Sequence, residues 1–318
     1  MSDWRPCSGP RAAMNRAEMM RRVRAWFDDA GIHEVDVPAL SQYAVSDAQL
    51  ESFAIPDSTI SHRPLYLHTS PEFCMKRLLA AGFPDIYAIC RVFRDGESGR
   101  QHQPEFTMVE WYRLGMSLAG IIDDSVAQIA AALGDRAPVG APVVIDYADA
   151  MRDACDIDVH SADSEALATA CGADPALRQA LGDARDDWLD LLLATRVTST
   201  FAPDRLTVLR HYPASQAALA RLCPADARVA DRFEVFFGPV ELANGYVELT
   251  DAREQARRIE RDNDIRERRG RPLRPVDRNL LAALAEGLPQ CAGVALGFER
   301  LQMVHDLSLI HISEPTRQ

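Results

Sequence analysis

Residues 91–113 read R-V-F-R-D-G-E-S-G-R-Q-H-Q-P-E-F-T-M-V-E-W-Y-R, and this stretch decides the fold. Two β-favouring runs, Tyr87–Phe93 and Glu105–Tyr112, flank a polar loop that contains glycine. That pattern predicts an antiparallel strand–loop–strand. The loop carries Arg94, Glu97, Arg100 and His102, and Phe106 opens the second strand. Arginine grips a phosphate with its planar fork. A phenylalanine ring stacks on a purine face. One hairpin thus joins the groups that suit a nucleoside triphosphate, although a charged loop taken alone is more often only a solvated one.

Two further segments carry chemistry. Residues 241–251 read E-L-A-N-G-Y-V-E-L-T-D. Asn-Gly is a hairpin turn signal. If the chain turns there, Glu241 and Glu248 face one cleft. Paired carboxylates beside phosphates suit Mg2+, which takes one or two carboxylates plus substrate phosphates. The plainer alternative is an acidic hairpin edge. Residues 293–301 read G-V-A-L-G-F-E-R-L. Gly293 and Gly297 bracket a short strand that enters a helix, and glycine lets the backbone approach a ligand. Arg300 falls in the first turn of that helix. The macrodipole disfavours a cation there unless an anion neutralises it. A bound phosphate is one explanation and plain surface exposure the other.

Outward from these segments, Met19, Met20, Val23, Trp26, Phe27 and Ala30 form an apolar stripe, so Met14–Ala30 is predicted helical. Gly31 stops it, and Ile32–Pro38 reads as a strand at an edge. Ser70–Ala81 reads as a helix with Ser70 as cap and Pro71 at the first position. Ser117–Leu133 is helical by spacing, 135–142 is a connector, and 146–190 reads as short acidic helices. Leu206–Leu209, Arg232–Phe237, Val240–Leu242 and Val294–Leu296 read as strands. Asp251–Arg269 is a charged, arginine-rich helix, and Asn279–Glu286 and Glu299–Val304 are further helices. Strands do not alternate regularly with helices. The expected class is therefore α+β, a largely antiparallel sheet flanked by helices.

With 318 residues the chain suits one large domain or two modest ones. No apolar run is long enough for a membrane span, and residues 1–11 lack the apolar stretch of a signal peptide. Seven cysteines without a C-x-x-C pair point to reduced thiols rather than zinc or disulfides, and so to a cytoplasmic protein. The net charge of −12 argues against a phosphate-gripping nucleic-acid surface. Lys76 is the only lysine, so phosphate contacts must come from arginine.

An arginine-bearing hairpin, an acidic pair and then G-x-x-x-G-x-x-R, in that order, resemble the class II aminoacyl-tRNA synthetases. The similarity is greatest to the lysyl-tRNA synthetase catalytic domain. It rests on T-S-P-E at 69–72, F-R at 93–94, P-E-F-T-M-V-E-W-Y at 104–112, E-L-A-N-G at 241–245 and G-V-A-L-G-F-E-R at 293–300. It covers residues 12–304 as one catalytic domain, after a short extension at 1–11. The match is closer still to a truncated paralogous family, the elongation factor P lysyltransferases. No room precedes residue 12 for an anticodon-binding OB fold, 211–220 reads H-Y-P-A-S-Q-A-A-L-A, and Ala295 stands where lysyl-tRNA synthetases usually carry glycine. Two features depart from the family. The hairpin has Gly96 then Glu97, and Gln103 before Pro104, where F-R-N-E and H-N-P-E-F are usual. The tail at 305–318 reads like a frame change or foreign sequence.

The resemblance implies activation of (R)-β-lysine with ATP and Mg2+, and its transfer to a lysine of elongation factor P. Arg94 and Arg300 would be the catalytic cations, on the α- and γ-phosphates. Asp95, Gly96, Glu97, His102, Gln103, Phe106, Glu241, Leu242 and Gly297 would complete the ATP site, with Phe106 on adenine. Glu241 and Glu248 would hold the metal. Ser70, Pro71, Glu72, Tyr112, Glu248 and Ala295 would bind the amino acid. A homodimer through 14–38 is implied, and no tRNA binding. The alternatives are an enzyme that still charges tRNA and a non-catalytic paralogue acting as a regulatory binding subunit.

Overall fold

The computed structural model describes residues 9–56, 63–99 and 102–306. Its strands are β1 (His33–Glu34), β2 (Leu40–Ser41), β3 (Ala54–Ile55), β4 (Leu65–Leu67), β5 (Ile86–Phe93), β6 (Glu105–Leu114), β7 (Val143–Asp146), β8 (Leu206–Arg210), β9 (Leu222–Cys223), β10 (Asp226–Ala230), β11 (Arg232–Phe237), β12 (Val240–Val247) and β13 (Cys291–Gly297). Its α-helices are α1 (Pro10–Asp29), α2 (Glu72–Ala80), α3 (Leu118–Leu133), α4 (Tyr147–Cys155), α5 (Ser164–Ala170), α6 (Pro175–Leu181), α7 (Arg185–Leu192), α8 (Ala252–Arg268), α9 (Arg278–Gly287) and α10 (Phe298–Asp306). Arg100, residues 1–8 and the tail after Asp306 lie outside the described residues.

Eight strands form one sheet in the order β1-β5-β6-β13-β12-β11-β8-β7. The six central strands pair antiparallel, and only the edge strands β1 and β7 pair parallel. The α+β expectation holds, and the β5–β6 hairpin is present, with Phe93 opposite Glu105.

Side-chain alternation sorts the sheet into two faces. Tyr87, Val109 and Trp111 point to the face covered by α1, α3 and α10. On α1, Met19, Val23 and Phe27 are fully buried and four residues apart, one stripe of a helix. Phe27 stacks on Tyr87 with ring centroids 4.0 Å apart. Ile86, Ala88 and Tyr112 point the other way, where α2 and α9 pack through Met75, Leu79, Leu280 and Leu284. The acidic stretch 146–190 does form short helices, α4 to α7. They close a separate cluster around Tyr147, Trp188 and Phe236.

Some boundaries differ. The strand expected over Ile32–Pro38 shrinks to His33–Glu34, although Val35 N still donates to Tyr87 O. The helix expected from Ser70 begins at Glu72. Pro71 takes the cap position and the Ser70 hydroxyl accepts from Glu72 N at 3.0 Å. The last of the acidic helices, α7, runs on into a π-turn at Leu193–Val197.

The segment 241–248 differs more deeply from the expected hairpin. No hairpin forms at Asn244-Gly245, because β12 runs straight through both residues. Asn244 pairs with Glu234 and Ala295, and Gly245 with Phe233 and Val294. The glycine serves close approach rather than a turn. A Cβ on Gly245 would lie 2.7 Å from the Phe233 ring and 2.8 Å from Gly293 O. A bulge interrupts the strand instead. Val235 pairs with Ala243 but Phe236 pairs with Glu241, so Leu242 is the extra residue. Leu242 and Ala243 both join the core, and Glu241 is thereby turned to the cleft.

Candidate active site

A single cleft of about 1190 Å3 runs over the α2 face of the sheet. It gathers nearly every side chain expected from sequence: Ser70, Glu72, Arg94, Glu97, His102, Gln103, Phe106, Tyr112, Glu241, Leu242, Glu248, Ala295, Gly297 and Arg300 all line it. Pro71, Asp95 and Gly96 do not. Pro71 caps α2, Asp95 N donates to Glu51 O at 2.8 Å, and Gly96 takes a positive φ of 80° at the loop bend.

One end of the cleft is cationic. Arg94 leaves β5 as the hairpin loop begins, with its backbone N donating to Pro104 O at 2.8 Å. Its guanidinium lies 5.1 Å from the Phe106 ring centroid and 3.6 Å from Glu97. Arg94 Nε is buried and has no hydrogen-bond partner among the described residues, an unmet donor in a cleft. Arg300 stands in the first turn of α10, as expected. It donates to Glu241 Oε2 at 2.9 Å and lies 2.9 Å from His102 Nε2. Guanidinium has no lone pair to offer, so the imidazole must accept. Burial and the nearby Arg300 charge both lower the His102 pKa, consistent with a neutral ring.

Glu241 and Glu248 do not converge. They lie seven positions apart on an extended segment, roughly 20 Å at about 3.3 Å per residue. Each has its own cation: Arg300 for Glu241 and Lys76 for Glu248, the latter at 2.5 Å. The carboxylate that Glu241 does feel is Glu234, on the neighbouring strand β11. Burial, and then repulsion from Glu241, raises Glu234 to about 7 even though Arg232 donates to it at 2.7 Å. Burial would raise Glu241 as well, but Arg300, Arg94 and Arg232 outweigh it and hold its pKa low.

The other end is acidic and closed in. Glu110 is fully buried. It accepts from Ser70 Oγ and Tyr112 OH, both at 2.8 Å. Glu72 accepts from Tyr246 OH at 2.7 Å and from Lys76 Nζ at 2.6 Å. Glu248 Oε1 is buried without a hydrogen-bond partner among the described residues. Gly293 makes room for this group: a Cβ there would lie 2.4 Å from the Tyr112 ring and 2.6 Å from Glu248 Oε1. Burial and the charge on Glu72 push Glu110 up to about 8. The 2.5 Å contact with Lys76 favours an ionised Glu248. Burial, Glu72 and Glu110 oppose that, and its pKa still lies at about 8.

Glu110, Glu234, Tyr246 and Lys76 are the functional candidates that sequence reasoning missed. A signal existed for two of them. Glu110 precedes Tyr112 by two positions in a strand, so they share a face, and Glu234 alternates with Arg232 in an otherwise apolar strand. Elsewhere, His211, Cys223 and Asp231 bring ligand atoms within 4.8 Å of one another. Asp231 is paired with Arg221 and His211 with Asp146, so that group is already compensated. All six described cysteines are free.

An antiparallel sheet with an arginine hairpin, and a terminal strand–helix that carries a second arginine, define the catalytic architecture of one class of ligase. The family of class II tRNA synthetases (D, K and N) matches residues 8–308. Relatives are similar over nearly the whole chain. The elongation factor P–(R)-β-lysine ligase of Photorhabdus laumondii is 42% identical over 310 residues, 95% of this chain and 93% of the relative. That of Sodalis glossinidius is 43% identical over 319 residues, covering 96% and 94%. That of Haemophilus ducreyi is 40% identical over 325 residues, covering 98% and 94%. The chain belongs to the class II tRNA synthetases, and within them to the family of the elongation factor P–(R)-β-lysine ligases.

Proposed function

We propose that this cleft joins (R)-β-lysine to AMP at the expense of ATP and passes the acyl group to a lysine of elongation factor P. The observation that carries the reading is the continuity of two opposite ends in one cavity. Arg94 and Arg300 offer positive charge at one, and Glu72, Glu110 and Glu248 offer carboxyl groups at the other. ATP suits the first and a diamine the second, since a desolvated ammonium needs a carboxylate partner.

A substrate carboxylate oxygen attacks the α-phosphorus, and the bond from phosphorus to the bridging oxygen breaks to release pyrophosphate. No protein nucleophile takes part, so catalysis is positioning and charge stabilisation. Arg94 neutralises the α-phosphate and orients the carboxylate, with Phe106 beneath adenine. Arg300 holds the γ-phosphate. The acceptor amine then attacks the acyl carbon, AMP leaves, and an amide forms with loss of a proton. Mg2+ fits Glu241 with Glu234 better than Glu241 with Glu248, because only the first pair, on the neighbouring strands β11 and β12, repels, and a cation would relieve that repulsion. Bound there, a divalent ion would neutralise phosphate charge. A homodimer through the 14–38 region belongs to the same reading, supported by the exposed Met14 on α1.

Two results test it. Pyrophosphate exchange over α-lysine and both β-lysine enantiomers should be fastest with the R enantiomer of β-lysine. Radiolabelled (R)-β-lysine should then appear on elongation factor P, and not in ribonuclease-sensitive material when tRNA is supplied. The chain's net charge of −12 favours this, since tRNA binding draws on phosphate neutralisation. Label on tRNA alone reverses the assignment.

Ala295 pairs in register with Asn244 and Glu110 and lines the cleft. Ala295→Gly should relax selection against α-lysine, by about 1–3 kcal/mol for a methyl-sized change. An unaltered ratio of α- to β-lysine exchange rates would remove Ala295 from the pocket.

A further inference from the structure

The acidic end of the cleft contains a cation of its own. Lys76 follows Glu72 by one helical turn on α2 and is 1% exposed. Its Nζ lies 2.6 Å from Glu72 Oε1, 2.5 Å from Glu248 Oε2 and 5.6 Å from the Tyr246 ring centroid. Its helix neighbours Met75 and Leu79 are buried apolar residues, so packing alone would favour an apolar side chain here. A buried ammonium costs several kcal/mol in desolvation unless it is paired. The position instead carries the only lysine of the chain.

We propose that Lys76 is a built-in counter-cation of the amino-acid pocket: it cancels one of the three negative charges of Glu72, Glu110 and Glu248, leaving two for the two ammonium groups of a diamino acid. This rests on the reading of the pocket as the (R)-β-lysine site, and deepens it. Lys76 is a positioning residue, because it meets carboxylates and no reacting atom. Without it, three carboxylates exceed the charge of a dication. With it, the charges balance and the filled pocket is neutral, which a buried site requires.

The groups that face this centre come from four elements. They are Glu72 on α2, Glu110 and Tyr112 on β6, Tyr246 and Glu248 on and just after β12, and Cys291 on β13. Burial works against the Lys76 charge, but Glu248 and Glu72 outweigh it and hold its pKa above the ordinary lysine value. Lys76 therefore stays charged throughout the working range. Glu110, raised to about 8 by burial and by the charge on Glu72, carries a proton near neutrality when the pocket is empty, whereas Glu248 lies 2.5 Å from the Lys76 ammonium. An incoming ammonium group displaces that proton. Only ionised carboxylates hold the dication, so affinity rises as pH climbs through about 8, until the ligand's own ammonium groups lose their protons.

The test is calorimetry of the full chain with (R)-β-lysine in buffers of different ionisation enthalpy. At pH 7 the wild type should release about one proton per molecule bound, and the count should fall as pH climbs through about 8. In Lys76→Met the three carboxylates lose their fixed cation and hold protons more tightly. Release should then persist at about pH 9, with KM at pH 8 raised at least about tenfold and kcat changed much less. Lys76→Arg, which keeps the charge, should restore the wild-type proton profile. A wild type that releases no protons at pH 7 overturns the proposal. So does a folded Lys76→Met with unchanged KM and proton count, and the wild-type count decides the matter if that variant does not fold. Failure of the wild type to support pyrophosphate exchange with (R)-β-lysine would instead reject the substrate assignment, which separates the two.

Discussion

Arg300→Ala lowers ATP-dependent pyrophosphate exchange by about a hundredfold or more, the usual scale for one lost transition-state charge contact. The side chain crosses from α10 to β12, donating to both the carbonyl and the carboxylate of Glu241. It also meets His102 from the hairpin loop. One guanidinium thus links the three segments that build the triphosphate end. Its loss also leaves Glu241 beside Glu234 without the cation that chiefly holds it ionised. The defect should therefore fall on kcat for exchange while the melting temperature moves little, since the group is partly open to the cleft. Exchange at the wild-type rate in a folded Arg300→Ala protein contradicts the phosphate role.

The largest effect on stability is expected at Arg266, far from the phosphates. Its side chain is fully buried on α8 and donates to the carbonyls of Pro272, Asp47 and Leu50. It also forks onto Glu51, at 2.7 and 2.9 Å. Removing one partner of such a buried pair costs about 3–5 kcal/mol, because the other is left uncompensated. Arg274 also reaches Glu51 and offsets part of that, so Arg266→Ala should sit near the lower figure. Urea unfolding measures it, and a loss below about 1 kcal/mol would show the pair to be incidental. Burial would raise the Glu51 pKa, but Arg266 and Arg274 lower it below the ordinary 4.5. This contribution is thus present above about pH 4.5 and is lost as pH falls through the depressed value. Residues 47–50 line the cleft, so the variant should also bind its substrates more weakly.

The phosphate end was legible in the sequence because it lies on local signals. A hairpin between β-branched runs announces itself, and an arginine in the first turn of a helix is conspicuous against the dipole. The amino-acid end was legible only in part. Its carboxylates come from α2, β6 and the end of β12, and nothing local says that Glu72, Glu110 and Glu248 meet. The Asn-Gly signal at 244–245 misled for a definite reason. Glycine marks a tight turn and a close backbone crossing equally, and here Phe233 and Gly293 press against it. The bulge at Leu242 leaves no trace in hydrophobic alternation either, because Leu242 and Ala243 are both apolar. The short strands β2, β3 and β4, of two or three residues, fall below what a periodicity of two can reveal.

An aminoacyl adenylate is a mixed anhydride, and it acylates any free amine it meets. The proposed enzyme must release its acyl group to a lysine of another protein while surrounding that anhydride with its own side chains. All but one of its 35 basic side chains are arginines, which stay protonated and make poor nucleophiles. The exception, Lys76, is sealed beneath two carboxylates with its lone pair tied up by a proton. No side-chain amine of this chain is therefore open to attack by its own intermediate, and the catalyst is chemically deaf to the reaction it performs on others.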